Sequence, residues 1–391
     1  MILESNRAGK LMRNIRGYSA FVPNKLPPDP AIEIDAEMQN LLSLADRKLG
    51  RLDGITQILP NPELFIGMYV KKEAVLSAQI EGTQASLADV LNAPSANKSI
   101  DTSSNDVLEV VNYVKAIYWG LEKLKTLPLS LRLIRNIHAV LLEGVRGSNK
   151  SPGEFRKSQN WIGSPGCTIE TATFVPPAVE DMEDALSDLE NFIYREDNIP
   201  ALIKIAIIHA QFETIHPFLD GNGRMGRLLI TFWLCQQEIL TSPLLYLSYY
   251  FKLNRLEYYD RLMAVRTKGD WENWIKFFLR GVAIVSDEST DSAKKIIALR
   301  DKYTSILLEK EQGNAYFLPL LNYLFETPFV TKKEIAEELK VSPPTAGTLV
   351  DIFCDLGILL DLTPEKKRYK TFVFTEYLNI LEKGTEISKD H

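Results

Sequence analysis

The sequence predicts a mainly α-helical protein that carries a smaller mixed unit at its C-terminal end. Almost every segment from Ala31 to about Gly281 repeats its apolar residues with helical period, and Pro and Gly separate the segments. One stretch, residues 160–177, is rich in Thr, Ile, Val and Phe around a Ser-Pro-Gly turn, which predicts a β-hairpin. Residues 315–391 contain three short helical segments and then two strand-like runs, the order of a winged helix-turn-helix domain.

Length and composition are those of an ordinary globular protein. The chain has 391 residues, 45% apolar and 25% charged, which is enough for two or three domains. The formal charge of −6 and the pI near 5.5 argue against a protein that coats nucleic acid or anionic membrane through its overall field, and they leave a local basic patch open.

Cysteine usage and the lack of long apolar runs predict a cytoplasmic location. Cys167, Cys235 and Cys354 lie far apart, with neither CxxC nor zinc-ligand spacing, so we expect reduced thiols. The N-terminal segment has no apolar stretch long enough for a signal peptide, and the run LLITFWLC is too short to span a bilayer. We therefore expect a soluble protein that does not contact a membrane.

Shifts in composition divide the chain into four parts. The proline-rich connector VPNKLPPDP cannot be helical, so we expect the first 30 residues to lie over the body as an arm. We assign residues 1–110 to this arm and a first helical region, and residues 111–281 to the core of the bundle. Residues 282–314 are predicted as a helical linker, and residues 315–391 as the winged-helix-like domain.

The segment HPFLDGNGRMGR, residues 216–227, is the strongest functional signal. It lies between two apolar helical segments and is therefore a loop that leads into the N-terminus of a helix. Gly221 and Gly223 permit positive φ angles around Asn222, and the N–H groups of a helix N-terminus are free to bind an anion. The segment thus predicts a concavity that suits several linked phosphates.

The charged residues of this loop match the needs of phosphate chemistry. Arg224 and Arg227 add positive charge, and Asp220 is placed to hold the Mg²⁺ that accompanies a nucleotide. His216 is suited to deprotonating an incoming nucleophile. The alternative is a glycine-rich turn with solvated arginines, which does not explain why so many phosphate-competent groups share one loop. The P-loop, dinucleotide-binding, kinase and HExxH motifs are absent from the sequence.

At every specified position the segment resembles the signature of the Fic family, His-x-Phe-x-Asp/Glu-Gly-Asn-Gly-Arg-x-x-Arg, and the resemblance extends over roughly residues 30–281. Members of this family mostly transfer AMP from ATP to a hydroxyl of a target protein and release pyrophosphate. The resemblance implies a Fic-type helical bundle in which His216 is the general base for a Ser, Thr or Tyr hydroxyl. Phe218 would anchor the loop in the core, and Asp220 would be the Mg²⁺ ligand.

The resemblance also implies a set of nucleotide-binding residues. The first half of the loop would cradle the α- and β-phosphates, and the two arginines would bind the β/γ end. An adenine and ribose pocket is expected in the tyrosine-rich segment that follows, which also contains Tyr249, although such a helix face is more often plain packing. The predicted set is Gly221, Asn222, Gly223, Arg224, Met225, Gly226, Arg227, Tyr250 and Asn254.

A second motif, SAQIEG at residues 77–82, lies in a helical run. Ser77 and Glu81 are four residues apart and share a face, and Gly82 is a plausible helix end. The motif resembles the inhibitory motif of Fic proteins, Ser/Thr-x-x-x-Glu-Gly/Asn, in the subclass with an N-terminal inhibitory helix. That resemblance implies that Glu81 pairs with Arg227 and so takes the cation meant for the γ-phosphate.

Two further features have both a functional and a structural interpretation. The predicted hairpin at 160–177 fits the flap of this family, which lies over the active site and holds the target by strand pairing, and its alternative is a surface hairpin. His209 lies seven residues before His216, near the same helix face. We interpret it as a core histidine rather than a group that orients His216.

The C-terminal unit is a poor match for DNA. Its predicted recognition helix contains Asp351 and Asp355 and no Lys or Arg, and residues 315–391 carry nine Lys or Arg against twelve Asp or Glu. DNA binding depends mostly on neutralising phosphates, so we rank it below dimerisation or target docking.

These observations predict an auto-inhibited protein adenylyltransferase that uses ATP and Mg²⁺. Within the enzyme class, the alternative is a Fic enzyme that transfers another phosphate-containing group or removes AMP. From another class, the alternative is a nucleotide-sensing transcription regulator whose winged helix binds DNA. The target protein is not visible in the sequence.

Overall fold

Helices dominate the computed structural model, which describes residues 2–15, 17–57, 62–92, 105–310, 314–366 and 368–385. In chain order the helices of these residues are α1 (Ala36–Gln57), α2 (Pro62–Ile80), α3 (Leu87–Asn92), α4 (Asn105–Leu124), α5 (Leu131–Leu141), α6 (Val179–Tyr194), α7 (Ala201–Ile215), α8 (Asn222–Gln236), α9 (Ser248–Leu253), α10 (Arg255–Lys268), α11 (Trp271–Lys310), α12 (Phe317–Glu326), α13 (Lys332–Glu338), α14 (Pro343–Asp355) and α15 (Thr375–Glu382). The strands are β1 (Gly9–Arg13), β2 (Ser19–Pro23), β3 (Phe329–Thr331), β4 (Leu360–Asp361) and β5 (Thr371–Val373). The prediction of a mainly helical fold is confirmed.

Helix α11 is the longest element, with 40 residues and a length of about 60 Å. Helix α1 packs along it, and Lys276 joins the two helices through Asp35 at 2.5 Å and Glu37 at 2.8 Å. Helix α11 also contacts α12 and α15 near the C-terminus. The predicted linker therefore belongs, up to residue 310, to the same helix, α11. The first half of α11 belongs to the bundle.

Helices α7 and α8 form the centre of the bundle. All residues of α7 from Leu202 to Ile215 are buried, and so is nearly all of α8 up to Leu234. A helix that is apolar on all sides must be surrounded by protein, and α7 is packed by α6, α8, α10 and α11. The loop between α7 and α8 is thus held at both ends by rigid, buried helices.

The N-terminal arm contains a two-stranded antiparallel hairpin of β1 and β2, which we did not predict. It lies on the bundle: the N–H of Phe21 donates to the carbonyl of Val175 at 2.9 Å, and Arg7 forms an ion pair with Glu272 at 2.8 Å. Gly9 allows the close approach of the two strands, because a Cβ there would collide with the Phe21 ring.

The predicted hairpin at 160–177 is reduced to one antiparallel bridge. Ile162 and Phe174 exchange two backbone hydrogen bonds of 2.8 and 3.0 Å. Between them, two tight turns close at 3.0 and 3.1 Å, the first from Ser164 to Cys167 and the second from Thr168 to Thr171. The prediction of a regular hairpin was wrong in this respect, because the turns occupy the residues that would have extended the ladder.

The C-terminal unit contains the predicted three helices, α12, α13 and α14, followed by the strands β4 and β5. The structure adds β3 before α13 and α15 after β5, and the sheet has the antiparallel order β3-β5-β4. Thr331 and Glu334 form a capping box at the start of α13.

Within the described ranges, no helix is long and apolar enough to cross a membrane. Cys167, Cys235 and Cys354 are free thiols, as expected.

The aromatic core beneath α7 gives a test of the fold. Trp274 is fully buried, and its indole N–H donates to the carbonyl of Ala206 at 2.8 Å. We expect Trp274→Ala to lower the free energy of unfolding by about 3–5 kcal/mol, because it leaves a large cavity. The exposed Leu256 serves as the control, and Leu256→Ala should change stability by less than about 0.5 kcal/mol. Denaturant unfolding followed by circular dichroism measures both; equal effects would contradict this account of the core.

Candidate active site

The loop between α7 and α8 turns sharply at both ends. Helix α7 ends at His216, which adopts the left-handed conformation with φ 50° and ψ 60°. Gly221 precedes α8 with φ 75°, a conformation that glycine adopts without strain. The first hydrogen bond of α8 runs from the Met225 N–H to the Gly221 carbonyl at 2.9 Å. The N–H groups of the preceding residues are therefore left for a ligand, as at any helix N-terminus.

The Asn222 side chain shapes the loop from inside. Its Oδ1 accepts from the Phe218 N–H at 2.8 Å, and its Nδ2 donates to the Phe218 carbonyl, also at 2.8 Å. Phe218 is fully buried, as expected of the loop anchor. Asn222 can therefore offer a phosphate its backbone N–H, while its amide holds the loop.

His138 supports the loop from α5 and was not identified from the sequence. Its ring stacks on Phe218, with centroids 3.7 Å apart. Nδ1 accepts from the Gly153 N–H at 2.9 Å, so Nε2 carries the proton and donates to the Asp220 carbonyl at 2.9 Å. Burial lowers the pKa of His138 to about 4, which keeps this ring neutral.

Arg156 and Asn160, also missed from the sequence, hold the loop from the opposite side. The Arg156 Nε donates to the His216 carbonyl at 3.0 Å, and a second nitrogen donates to the Pro177 carbonyl at 2.6 Å. Asn160 donates to the carbonyls of His216 at 3.1 Å and Phe218 at 2.9 Å. These contacts tie both ends of the predicted flap to the loop.

His216 lies in a buried environment that favours its neutral form. Its Nδ1 is 3.4 Å from the carbonyl oxygen of Glu213 and 4.0 Å from a carboxylate oxygen of the same residue. Burial, with a contribution from Arg266, lowers the pKa of His216 to about 3, and burial raises the pKa of Glu213 to about 7. Because Nδ1 faces oxygen atoms, its proton is favoured there and Nε2 keeps its lone pair.

A cavity of about 170 Å³ opens beside His216. Six of the predicted site residues line it, together with the predicted inhibitory glutamate and two residues that we did not predict. The lining residues are Glu81, Arg146, His216, Leu219, Asp220, Gly221, Asn222, Gly223 and Arg224.

Two arginines, Arg224 and Arg146, line this cavity. Arg224 is almost fully buried, and its terminal nitrogens lie 3.4 Å from Glu109 and 3.5 Å from Asp220. Arg146 is half-exposed and pairs with the same Glu109 at 3.2 Å. The buried carboxylate of Glu109 thus pairs with two guanidinium groups. Among the described contacts, the Nε of Arg224 has no partner, so this site retains capacity for an anion.

Arg227 binds Ser77 and Glu81 of the predicted inhibitory motif. Its Nε donates to the Ser77 hydroxyl at 2.8 Å, and its terminal nitrogen donates to the Ser77 carbonyl at 3.0 Å and to Glu81 at 2.8 Å. Burial alone would raise the pKa of Glu81, but attraction to Arg227 outweighs it and lowers that pKa, so Glu81 is ionised. The Glu81 carboxylate lies directly against Gly223, where a Cβ would collide with it.

Other predicted residues lie away from the cavity. Met225 is fully buried in the core, and Gly226 packs against Glu213. Tyr250 packs against Phe277, with ring centroids 4.9 Å apart.

Two more of the singled-out residues also make internal contacts. Asn254 donates to the Tyr250 carbonyl at 2.9 Å where α9 meets α10. His209 is buried between the Gly226 carbonyl and the Tyr258 hydroxyl, each at 2.9 Å, as expected of a core histidine.

Asp220 is the only carboxylate of the loop. Its side chain is partly exposed, and its Oδ1 accepts from the Gly221 N–H at 2.6 Å. Among the described residues, no group of three or more His, Cys, Asp and Glu is arranged to hold a metal ion. A cation at Asp220 would therefore take further ligands from a substrate, which suits Mg²⁺ shared with phosphates.

Comparison with known proteins finds similarity to one family in two segments of the chain. Residues 39–122 match the Fic/DOC family N-terminal region, and residues 128–234 match the Fic/DOC family. The first match includes α2 with its SAQIEG motif, and the second includes the whole loop between α7 and α8. Both segments that carry the predicted site residues of α2 and of the loop are therefore similar to this family.

Individual relatives are similar over part of their length. The chain is 29% identical over 184 residues to a probable protein adenylyltransferase of Aquifex aeolicus, a match that covers 46% of this chain and 52% of that protein. It is 26% identical over 250 residues to a protein adenylyltransferase Fic of Culex quinquefasciatus, covering 61% of this chain and 44% of that protein. The chain thus spans about half the length of these curated relatives.

The fold is similar to that of a solved Fic family protein from Desulfovibrio desulfuricans. The two chains superpose with a TM-score of 0.57 at 19% identity, and the match covers 88% of this chain and 97% of the other. The likeness is one of fold.

The histidine environments can be tested by titration. We expect the imidazoles of His138, His209 and His216 to stay neutral between pH 5 and 8, because burial lowers their pKa values to about 4, 3 and 3. Histidine NMR signals followed against pH measure this, and the urea-unfolded chain, titrating near 6.5, is the control. A signal that titrates near 6.5 in the folded protein and disappears in His216→Ala would contradict it.

Proposed function

We propose that this protein is an auto-inhibited protein adenylyltransferase, which transfers AMP from ATP to a Ser, Thr or Tyr hydroxyl of a target protein. The observation that carries the proposal is the neutral His216 at the edge of a cavity lined by Arg224 and Arg146, beside the free N-terminus of α8. The names of the Aquifex and Culex relatives support the same activity.

The chemistry follows from the groups around the cavity. The backbone N–H groups at the start of α8, with Arg224 and Arg146, bind the phosphates and neutralise their charge. His216 accepts the proton of the target hydroxyl at Nε2 while the hydroxyl oxygen forms a bond to the α-phosphorus. The bond from that phosphorus to the bridging oxygen breaks, and pyrophosphate leaves. Such a transfer needs mainly positioning and charge neutralisation, which a rigid loop supplies.

The cation would be Mg²⁺, with Asp220 as its protein ligand. The partial exposure of Asp220 and its position at the cavity fit a site completed by phosphate oxygens. When bound, Mg²⁺ would neutralise charge on the phosphates and on the departing pyrophosphate.

Auto-inhibition follows from the position of Glu81. Its carboxylate binds Arg227 and lies against Gly223, so it places negative charge where a phosphate chain would extend. The γ-phosphate and Glu81 then compete for one guanidinium group, and like charges repel. ATP bound beside Glu81 would adopt an unproductive position.

The remaining parts of the chain have supporting roles in this proposal. The bridge-closed segment 160–177 is the flap that would receive the target chain by strand pairing. We propose that the C-terminal unit from residue 315 is of winged-helix type, and its element order and three-stranded sheet support this proposal. Its helix α14 carries the exposed Asp351, which pairs with Lys332, so we rank dimerisation or target docking above DNA binding. The expected location is the cytoplasm.

Removing His216 tests the base. We expect His216→Ala to lower transfer of label from α-³²P-ATP to protein by at least about 100-fold, because no other imidazole of the described residues lines the cavity. ATP binding, measured by calorimetry, should be retained, since the phosphate-binding groups are unchanged. Retained transfer in this variant would remove His216 from the mechanism.

Removing Glu81 tests the inhibition. We expect Glu81→Gly to raise transfer by roughly 10- to 100-fold, the equivalent of losing one charge-assisted hydrogen bond. Gln84→Gly is the matched control, because it alters the same turn but makes no contact with Arg227 among the described hydrogen bonds. Labelling of protein in a cell lysate gives the readout. Unchanged activity in Glu81→Gly would contradict the proposed inhibitory role.

A further inference from the structure

The end of helix α2 is bound by the C-terminal end of the described chain. The Nε2 of Gln79 donates to the carbonyl of Thr385 at 3.0 Å and to the carbonyl of Ala85 at 3.0 Å. Gln79 is two residues before Glu81, and Ala85 lies in the loop that follows Glu81. We call residues 81–85, which follow α2 and include Glu81, the inhibitory turn. The Gln79 amide therefore joins both sides of the inhibitory turn to a segment more than 300 residues away in sequence.

We call residues 383–385 the clasp. Besides α2, the clasp contacts α9 and α11. Gly384 packs against the ring of Tyr249, its carbonyl accepts from Lys252 at 3.4 Å, and Lys383 forms an ion pair with Glu288 at 2.7 Å. Gly384 has φ 85°, and a Cβ there would collide with the Tyr249 ring. The position thus requires glycine for both its conformation and its packing.

The clasp is a direct extension of the C-terminal unit. It follows α15, whose residues Tyr377 and Leu381 are buried and which packs on α2 and α11. Helix α12 of the same unit also contacts α2. The C-terminal unit therefore rests on the inhibitory helix at several points, and only the clasp reaches the turn that carries Glu81 among these described contacts.

Space beside the clasp allows it to move. A cavity of about 350 Å³ lies between it and the loop after α2, lined by Ser86, Asn379, Glu382, Lys383 and Thr385. Glu81 itself is held by one ion pair and is one third exposed on its side chain. A small change in the support of the turn is therefore enough to shift the balance between Glu81 and a phosphate on Arg227.

We propose that the clasp holds the inhibitory turn in place, so that the C-terminal unit sets the degree of auto-inhibition. An event that moves α15 withdraws Thr385 from Gln79 and weakens the contact of Glu81 with Arg227. This inference rests on the proposed auto-inhibited transfer of AMP. It gives the C-terminal unit a regulatory role that does not depend on DNA.

Two matched glycine variants test the clasp in the full chain. Gly384→Ala should raise AMP transfer roughly 3- to 10-fold, the effect of losing about one hydrogen bond that supports the turn. Gly357→Ala is the control: Gly357 also lies in the C-terminal unit with positive φ, 70°, but has open space around its Cβ position. Activation by both variants alike, or by neither, would overturn the proposal.

The double variant tells whether the clasp acts through Glu81. In a Glu81→Gly background, Gly384→Ala should cause no further activation, because the inhibitory carboxylate is already absent. Activation that persists in this background would show a different route and would overturn the proposal.

A readout independent of activity separates this inference from the proposed function. Backbone hydrogen exchange of residues 77–85 should be faster in Gly384→Ala than in Gly357→Ala or the unchanged protein. If Glu81→Gly transfers no AMP while exchange still increases, the proposed function fails and the clasp stands. Unchanged exchange would overturn the clasp. Should Gly384→Ala fold poorly, Lys383→Glu should show the same faster exchange, and adding Glu288→Lys should reverse it by restoring the ion pair.

Discussion

The structure of the site depends on the pairing of one buried cation, the guanidinium group of Arg227. Arg227 lies at the start of a central helix with only 2% of its side chain exposed, and a guanidinium group in such a place must be paired. Ser77 and Glu81 supply the partners from α2. A phosphate could also pair with this buried guanidinium group, since arginine forms two parallel hydrogen bonds with a phosphate. In the proposed function, inhibition by Glu81 and nucleotide binding would therefore both depend on pairing this one guanidinium group.

Two carboxyl groups near that cation are less charged than Glu81. Burial raises the pKa of both Glu73 and Glu213 to about 7, so near pH 7 each of them is protonated roughly half of the time. Glu73 accepts hydrogen bonds from Ser248 and from the Tyr113 hydroxyl, which suits a buried acid. Glu81 pairs with the guanidinium of Arg227, and its pKa is lowered, so it is ionised. In the proposed function, Glu81 is the residue that supplies the inhibitory charge.

Most polar side chains around the loop serve its shape. Asn222, Asn160, Arg156 and His138 all bind backbone atoms of the loop, and none of these bonds involves the imidazole of His216. Their effect is to fix the direction of the free N–H groups of α8, which is where a transferring phosphate needs pre-oriented dipoles. The turn after α2 is also held through backbone atoms, since the Gln79 amide donates to the carbonyls of Ala85 and Thr385.

The sequence by itself determined the mainly helical fold, the resemblance to the Fic family and the loop of residues 216–227, because periodicity and a dense local motif are properties of consecutive residues. It also predicted the approach of Glu81 to Arg227, although only through resemblance to relatives. The tertiary structure alone decided that the segment 160–177 keeps one bridge, that Met225 and Tyr250 are buried, and that Arg146 of the cavity pairs with Glu109. It likewise decided that Gln79 meets Thr385. Such pairs are far apart in the chain, and a single sequence carries no signal for which distant polar groups will satisfy one another when buried.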